Sequence, residues 1–341
     1  MGNSYKEIDI VALGGVSADL IMAVRDVMRF EMYSQDEIKK YTAIEYSSKV
    51  NVNSLKIVPG GSASNIASDL ATIGLKTRYI GVIGKDQNGD IAMEDMKKRG
   101  VDVSFVKRTD QDQTGVSVVL MTGYGKDRSI LAYKGAADLV DPDYIKEEMI
   151  RDAKIFVWTS LTSEKSCQAI QKAIDIAKKH KVMVCACPSI SIIKKRTQDA
   201  IQFMKQSDFA SMNSEEIQEL TSEKTTIKGI KTMLSWGIMK MAVSLGSKGS
   251  RIIDGNHVIE SGIYDVPIAD TTGAGDAFAS GFIYGILNRF SLKETAKYAS
   301  ALSAFEIKGF GVRIGLPHSI QELKNFIDAN PLEQTDLEFI Q

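Results

Sequence analysis

Short apolar runs recur along the chain. They alternate with stretches in which apolar residues return every three or four positions, the signature of buried strands and amphipathic helices in turn. Residues 8–13 (IDIVAL) end on Gly14 and Gly15 and predict a buried strand feeding a turn. Residues 64–73 (SNIASDLATI) predict a helix stopped by Gly74, and TRYIGVIG predicts a second buried strand. Residues 91–99 predict a helix that ends at Gly100 and carries Lys97, Lys98 and Arg99 at its negative end. Further on, KIFVWTS, VMVCACP, DFASMN and KMAVSLG read as strands, SCQAIQKAIDIAKKH and SEEIQELT as helices, and 275–287 and 292–307 as two late helices. Strand–helix alternation of this kind predicts an α/β, three-layer Rossmann-like architecture: a central, mostly parallel sheet flanked by helices.

Two stretches interrupt the alternation. Residues 25–57 are charged, carry Tyr33, Tyr41 and Tyr46, and have weak periodicity; 36–41 predicts a short helix and 50–58 a half-exposed strand. Residues 101–135 are rich in β-formers, with GVSVVLMT and RSILAY flanking the turn-forming GYGKD, which predicts a hairpin. Together these stretches predict a small β lid formed by approximately 20–57 and 103–135. RIIDGNHVIESG predicts a second hairpin, and with neither repeats nor a low-complexity linker, residues 1–341 read as a single domain.

Composition narrows the partners. The 341 residues include 42 basic and 43 acidic ones, for a net charge of -1, so nothing marks a nucleic-acid surface. The expectation is a cytoplasmic protein that binds no nucleic acid and no membrane, since the N-terminus lacks a signal-like apolar stretch and Lys6 stands where a myristoylation motif wants Ser or Thr. The 3 cysteines, Cys167, Cys185 and Cys187, are too few for a disulfide framework, and no histidine pairs with them at zinc spacing.

The segment that carries chemistry is residues 270–281, DTTGAGDAFASG. Small residues at its front let backbone approach a ligand, and a helix beginning near Gly275 offers free N–H groups and a positive dipole end to an anion. The N–H groups of Gly273, Ala274, Gly275 and Asp276 suit the charge that spreads over a migrating phosphoryl group, and Asp276 suits removal of a proton from the attacking hydroxyl. Far upstream, Gly60, Gly61 and Asn65 in GGSASN combine close backbone approach with an amide that both donates and accepts, as a polyhydroxylated substrate requires. No G-x-x-x-x-G-K-[ST] and no G-x-G-x-x-G after the first strand is present, so neither a P-loop nor a dinucleotide fingerprint supports another nucleotide chemistry.

GGSASNIA followed by Gly74 and Gly84, together with DTTGAGDAFASG, resembles the paired signatures of the ribokinase-like (PfkB) carbohydrate kinases, over roughly residues 8–330. The resemblance implies an ATP- and Mg2+-dependent kinase of a sugar hydroxymethyl group; the alternatives are a nucleoside (adenosine-like) kinase of the same fold or a non-catalytic sugar or nucleotide sensor. It implies that Asp19 grips substrate hydroxyls beside Gly61 and Asn65. It implies that Asn213 and Glu216 organise Mg2+ and phosphate, that Ser244, Gly246, Lys248 and Gly249 lie near ATP, and that Asp270 and Thr272 border a monovalent cation such as K+. Each has a plainer reading: a helix cap for Asp19, a capping box for NSEE, a solvated turn for GSKG. Ser17, Ser62 and the run Trp158-Thr159-Ser160 depart from the ribokinase pattern and count against ribose. An acceptor that already carries a phosphate would need basic residues facing the pocket, for which Lys56, Arg128 and Lys134 are candidates. The exposed lid edge also suits a homodimer.

Overall fold

The structure is a computed structural model, and it describes residues 7–33, 38–122 and 128–338. The first strand, β1 (Ile8–Leu13), is followed by β2 (Ser17–Val24), β3 (Met28–Tyr33), β4 (Ile38–Ala43) and β5 (Val52–Gly60). Helix α1 (Ser62–Thr72), β6 (Thr77–Gly84), α2 (Gln87–Lys98), β7 (Val106–Thr109), β8 (Gly115–Met121) and β9 (Arg128–Tyr133) come next. Then β10 (Ala153–Trp158), α3 (Glu164–Lys179), β11 (Met183–Ala186), α4 (Ile190–Lys195), α5 (Thr197–Met204), β12 (Phe209–Asn213), α6 (Ser214–Thr221) and α7 (Thr226–Ser235) continue the alternation. The chain closes with β13 (Lys240–Ser244), β14 (Ser250–Asp254), β15 (His257–Ser261), α8 (Ala274–Leu287), α9 (Leu292–Glu306), α10 (Ile320–Ala329) and β16 (Gln334–Glu338).

A ten-stranded sheet in the order β16-β15-β14-β13-β12-β11-β10-β1-β6-β7 forms the middle layer. From β13 to β7 every pairing is parallel, and β14, β15 and β16 extend it antiparallel. Side chains alternate across it: Val11, Leu13, Phe156 and Trp158 enter one core, while Ile10, Ala12, Ile155 and Val157 enter the other. The parallel strands are therefore apolar on both faces, which is why they read as continuous runs rather than as alternating ones. Trp158 and Phe156 are fully buried, each removing roughly 150–250 Å2 from water.

A second sheet, β5-β2-β8-β9, stands apart from the first. Its β2 and β8 run parallel, and β5 and β9 flank them antiparallel. Strands β3 and β4 form a separate two-stranded ribbon. The helix expected over 36–41 is not formed: Ile38–Ala43 is strand β4, zipped to β3 from Met28↔Ala43 to Tyr33↔Ile38. Cross-strand pairing overrides the weak local helical signal there, with Phe30 stacked on Tyr41 at 5.1 Å. Val106–Thr109, within the stretch read as lid, pairs with β6 in the main sheet instead. Asp36 and the GYGKD turn lie outside the described residues.

Candidate active site

The carboxyl ends of the parallel strands gather the polar residues, as expected where ligands bind in open α/β sheets. Ser244 ends β13, Asn213 ends β12, Cys187 follows β11, and Ser160 follows β10. Above them begins α8, whose N-cap is Gly273 at φ 82°. A side chain at this position would be strained twice over, because its Cβ would also lie 2.5 Å from Glu306 Oε1. Ala274 N–H reaches Thr271 O at 3.4 Å, a long contact, and the first turn of a helix has no intrahelical partners for its N–H groups. Asp276 sits in the first turn of this helix.

Asp276 Oδ2 accepts a 2.6 Å hydrogen bond from Asn65 Nδ2, which joins the two glycine-rich motifs across 211 residues of sequence. Burial pushes the Asp276 carboxyl above its ordinary value; hydrogen bonds from Asn65 and Ser62 and the charge of Arg313 pull it back, and Asp19 pushes it up. Gly61, at φ 96°, caps α1, and a Cβ there would lie 2.5 Å from Val16 Cα. Gly60 makes room for Asp19, whose Oδ2 would be 2.3 Å from a Cβ at that position. Asp19 is buried and accepts a 2.8 Å hydrogen bond from Ser17 Oγ. Burial raises its carboxyl, opposed by hydrogen bonds from Ser17 and Ser117. Ser17, a departure from the ribokinase pattern, thus serves to orient Asp19.

The structure also reveals a residue that sequence reasoning passed over. Arg313 lies in the loop after α9, fully buried, at φ 66°. Its Nε and Nη2 both donate to Asn65 Oδ1, at 3.0 and 2.8 Å, its Nη2 also to Ser64 Oγ at 2.6 Å, and its Nη1 to Asp95 Oδ2 at 2.6 Å. The guanidinium therefore fixes which way the Asn65 amide points: its oxygen faces Arg313, so its NH2 faces Asp276. The backbone N–H of Arg313 donates to Glu306 Oε1 at 2.7 Å. Burial raises Glu306 to about 7, with Asp276 adding to the rise and Arg313 opposing it. Asp69, also buried, is held well above the usual carboxylate range by burial and by the charge of Glu306. Arg313 is thus the cation buried among Asp19, Asp69, Asp276 and Glu306. The surrounding GFGVRIG reads as an ordinary loop, and nothing local marks the arginine as internal.

On the β13 side of Asp276 lies a cavity of about 430 Å3 lined by Ser244, Gly246, Gly249, Tyr264, Phe278 and Ser303 among others. Lys248 is exposed and does not line it. A narrower cleft of about 100 Å3 holds Asp276 together with Ser62, Cys187, Asn213 and Glu216, and shares Ser244 and Gly275 with the larger cavity. Asn213 and Glu216 form a true capping box on α6: Asn213 Oδ1 accepts from Glu216 N at 2.9 Å, and Glu216 Oε2 accepts from Asn213 N at 2.8 Å. The same Glu216 faces the cleft. Burial raises it to about 7, and the charge of Asp276 contributes. Two carboxylates that repel across a cleft fit a divalent cation, whose charge reverses the penalty on both.

Asp270 is buried and ties two loops together. Its Oδ1 accepts from Thr272 N and Oγ1, at 2.9 and 2.8 Å, and its Oδ2 from Gly311 N at 3.2 Å. Lys56 is exposed, its ammonium 4.6 Å from the Phe310 ring centre, and the side chain of Arg128 lies outside the described residues. Lys134 turns inward from the base of the second sheet, where burial lowers the affinity of its ammonium for its proton. Cys185 and Cys187 are free, buried and in van der Waals contact at 3.6 Å.

A three-layer α/β sheet, a helix N-terminus with an adjacent carboxylate, and a cavity on one side of it define a phosphotransferase that uses an alcohol group as acceptor. The chain matches the pfkB family carbohydrate kinase model over residues 24–319 and belongs to that family. It is therefore an ATP-using kinase of the sugar and nucleoside class. It is 25% identical over 295 residues to the ATP-dependent 6-phosphofructokinase of Thermoanaerobacterium thermosaccharolyticum, covering 84% of this chain and 90% of that one. It is 30% identical over 285 residues to a 5-dehydro-2-deoxygluconokinase of Clostridium botulinum, covering 79% and 83%. A chain assigned as ribokinase II of E. coli, solved with ATP and Mg2+, superposes with a TM-score of 0.80 at 21% identity, over 94% of this chain and 99% of that one. Among the described residues no helix is long and apolar enough to cross a membrane.

Proposed function

We propose that this kinase transfers the γ-phosphoryl group of ATP to a hydroxymethyl group of a sugar or sugar derivative, with Asp276 as the general base. The observation that carries this reading is the 2.6 Å Asn65–Asp276 hydrogen bond at the start of α8, between a nucleotide-sized cavity and the buried Asp19. ATP occupies the cavity beside Ser244, Gly246 and Gly249, with Lys248 at its rim. The acceptor lies on the other side, gripped by Asp19, Gly60, Gly61 and Asn65. Asp276 takes the hydroxyl proton as the oxygen attacks phosphorus, and the N–H groups of Gly273, Ala274, Gly275 and Asp276 face the charge on the migrating phosphoryl oxygens. Mg2+ bound with the nucleotide offsets phosphate charge, and Asn213 and Glu216 are the residues placed to hold it. Asp270, with one carboxylate lone pair left after its three internal hydrogen bonds, and Thr272 remain the proposed border of a monovalent cation site, K+ being the ion to test.

The acceptor is better sought among sugars than among nucleosides. Two of the three tyrosines of residues 25–57 available to stack on a base are engaged, Tyr41 on Phe30 and Tyr33 donating to Glu31 at 2.6 Å, while Tyr46 projects into solvent at 98% exposure. The two relatives above are named for a phosphofructose and for a gluconate derivative, and both names describe acceptors with an anionic group. We also propose a homodimer formed through the second sheet, whose Leu55, Ile57, Leu131 and Tyr133 are 54%, 47%, 62% and 53% exposed. The function is tested by ADP release over a panel of sugars, sugar acids, sugar phosphates and nucleosides, with and without K+. Binding of sugars without turnover of any of them would instead describe a sensor.

A further inference from the structure

We propose that Lys134 and Lys195 form an anchoring site for an anionic group, a carboxylate or a phosphate, on the acceptor. The proposal rests on the kinase reading above and assigns its substrate class.

The placement comes from the backbone. Lys134 follows β9, at the root of the second sheet. A Cβ on Gly115 would lie 2.9 Å from both Lys134 O and Val16 O, and Gly115 stands opposite Ser17 in register. Lys134 therefore leaves the backbone two residues along from the strand pair that presents Asp19. Lys195 ends α4, whose N-cap is Ser189, a residue that lines the cleft with Asp276. Its Nζ donates to Thr162 Oγ1 at 3.1 Å, and Thr162 is two residues beyond Ser160, whose Oγ accepts from Ser189 N at 2.7 Å. The two lysines thus approach from the lid base and from the strand ends of β10 and β11. This is the side of the cleft away from β13 and the nucleotide cavity, so the anion they await belongs to the acceptor.

The chemistry is that of a site lacking its counterion. Among the described residues neither lysine forms an ion pair. Burial lowers the hold of Lys134 on its proton, and the charge of Lys195 lowers it further against the pull of Asp138. The Asp138 carboxylate is committed elsewhere, accepting from Thr162 N and from Thr162 Oγ1. Arg196, the next cation, donates to Thr162 O at 3.3 Å and lies 3.9 Å from Asp199. A buried ammonium on Lys134, facing the charge of the exposed Lys195 and a carboxylate engaged elsewhere, is costly unless an anion joins the two lysines. At the other end of the acceptor pocket, Asp19 and Asp276 repel an anion. The same electrostatics therefore orients the substrate, hydroxyl toward Asp276 and anion toward the lysines.

The test compares three acceptor groups with the whole enzyme: six-carbon sugar acids such as gluconate and its keto-deoxy derivatives, sugar phosphates such as fructose 6-phosphate, and neutral sugars and nucleosides. The expected result is a kcat/KM at least tenfold higher for one of the anionic groups, and which of the two wins separates carboxylate from phosphate. Lys134→Met, which keeps the apolar stem, should raise KM for that acceptor about 30-fold or more, the usual effect of deleting one partner of a desolvated charge pair. Lys134→Arg should retain most of the affinity. Faster turnover of neutral acceptors, or an unchanged KM in Lys134→Met, overturns the proposal. Calorimetric binding of the same acids and phosphates to wild type and Lys134→Met separates this failure from failure of the kinase reading. Without turnover, anion binding that is lost in the variant still supports the site, and no anion binding by wild type overturns it.

Discussion

Removing the buried cation Arg313 should displace the pH dependence of catalysis. Its guanidinium reaches Asp276 through one amide: 2.8 Å from Nη2 to Asn65 Oδ1, then 2.6 Å from Asn65 Nδ2 to Asp276 Oδ2. The two charges are therefore separated by about 8 Å, and with an effective dielectric constant of about 20 their attraction is about 2 kcal/mol, which favours the ionised form of Asp276. Asp276 must be ionised to act as base, so activity rises with pH as it loses its proton. In Arg313→Met the acid limb of kcat should therefore move to higher pH, with the rate partly regained at alkaline pH. The variant also leaves Asp95 with Arg99 as its remaining cation and releases the Asn65 amide, at a cost of about 1–3 kcal/mol for the polar group left unpaired. Arg313→Lys controls for that cost: it keeps the charge, so the acid limb should stay near that of wild type, but it loses the fork on Asn65, so KM for the acceptor should rise. A pH–rate profile and a thermal melt on each variant suffice. A folded Arg313→Met enzyme with an unshifted acid limb and an unchanged KM would refute the positioning role.

Glu306 should make the fold less stable as the solution is made less acidic. Its carboxyl is raised from 4.5 to about 7, so the folded state binds its proton more tightly than the unfolded chain does. The stability this provides is fully present below about 4.5 and is lost as pH rises through about 7; denaturant titrations should show that fall, and Glu306→Gln should flatten it. At Glu216, raised to about 7 by burial with Asp276 contributing, protons should compete with Mg2+ for the carboxylate. Apparent Mg2+ affinity in the ATP reaction should therefore rise from pH 6 to pH 8 in wild type and vary little in Glu216→Gln. Sedimentation analysis should find a dimer, and Leu131→Lys, on the exposed face of the second sheet, should shift it toward monomer.

The sheet was legible because its strands are buried on both faces and its helices on one, which leaves two distinct periods in the sequence. Where the chain leaves that regime the reading weakened. Ile38–Ala43 is a strand only because β3 lies beside it, and β16 is an exposed edge strand with little apolar contrast to mark it. The two glycine motifs announced themselves because Gly61 and Gly273 hold conformations that other residues avoid. The direction of a long side chain leaves no such mark. Lys134 and Lys56 were equal candidates in sequence, yet one turns into the protein and the other lies over Phe310 at the surface. Arg313 was invisible for the same reason, since its partner Asn65 is 248 residues away.

The central claim, that Asp276 is the base, is tested most directly by the rate of Asp276→Asn with its binding measured in parallel. Asparagine keeps the shape and a hydrogen bond to Asn65 but takes no proton. The account predicts ATP and acceptor affinities close to wild type, with kcat reduced by about 10²–10⁴-fold or more. A variant that turns over at the wild-type rate would contradict it.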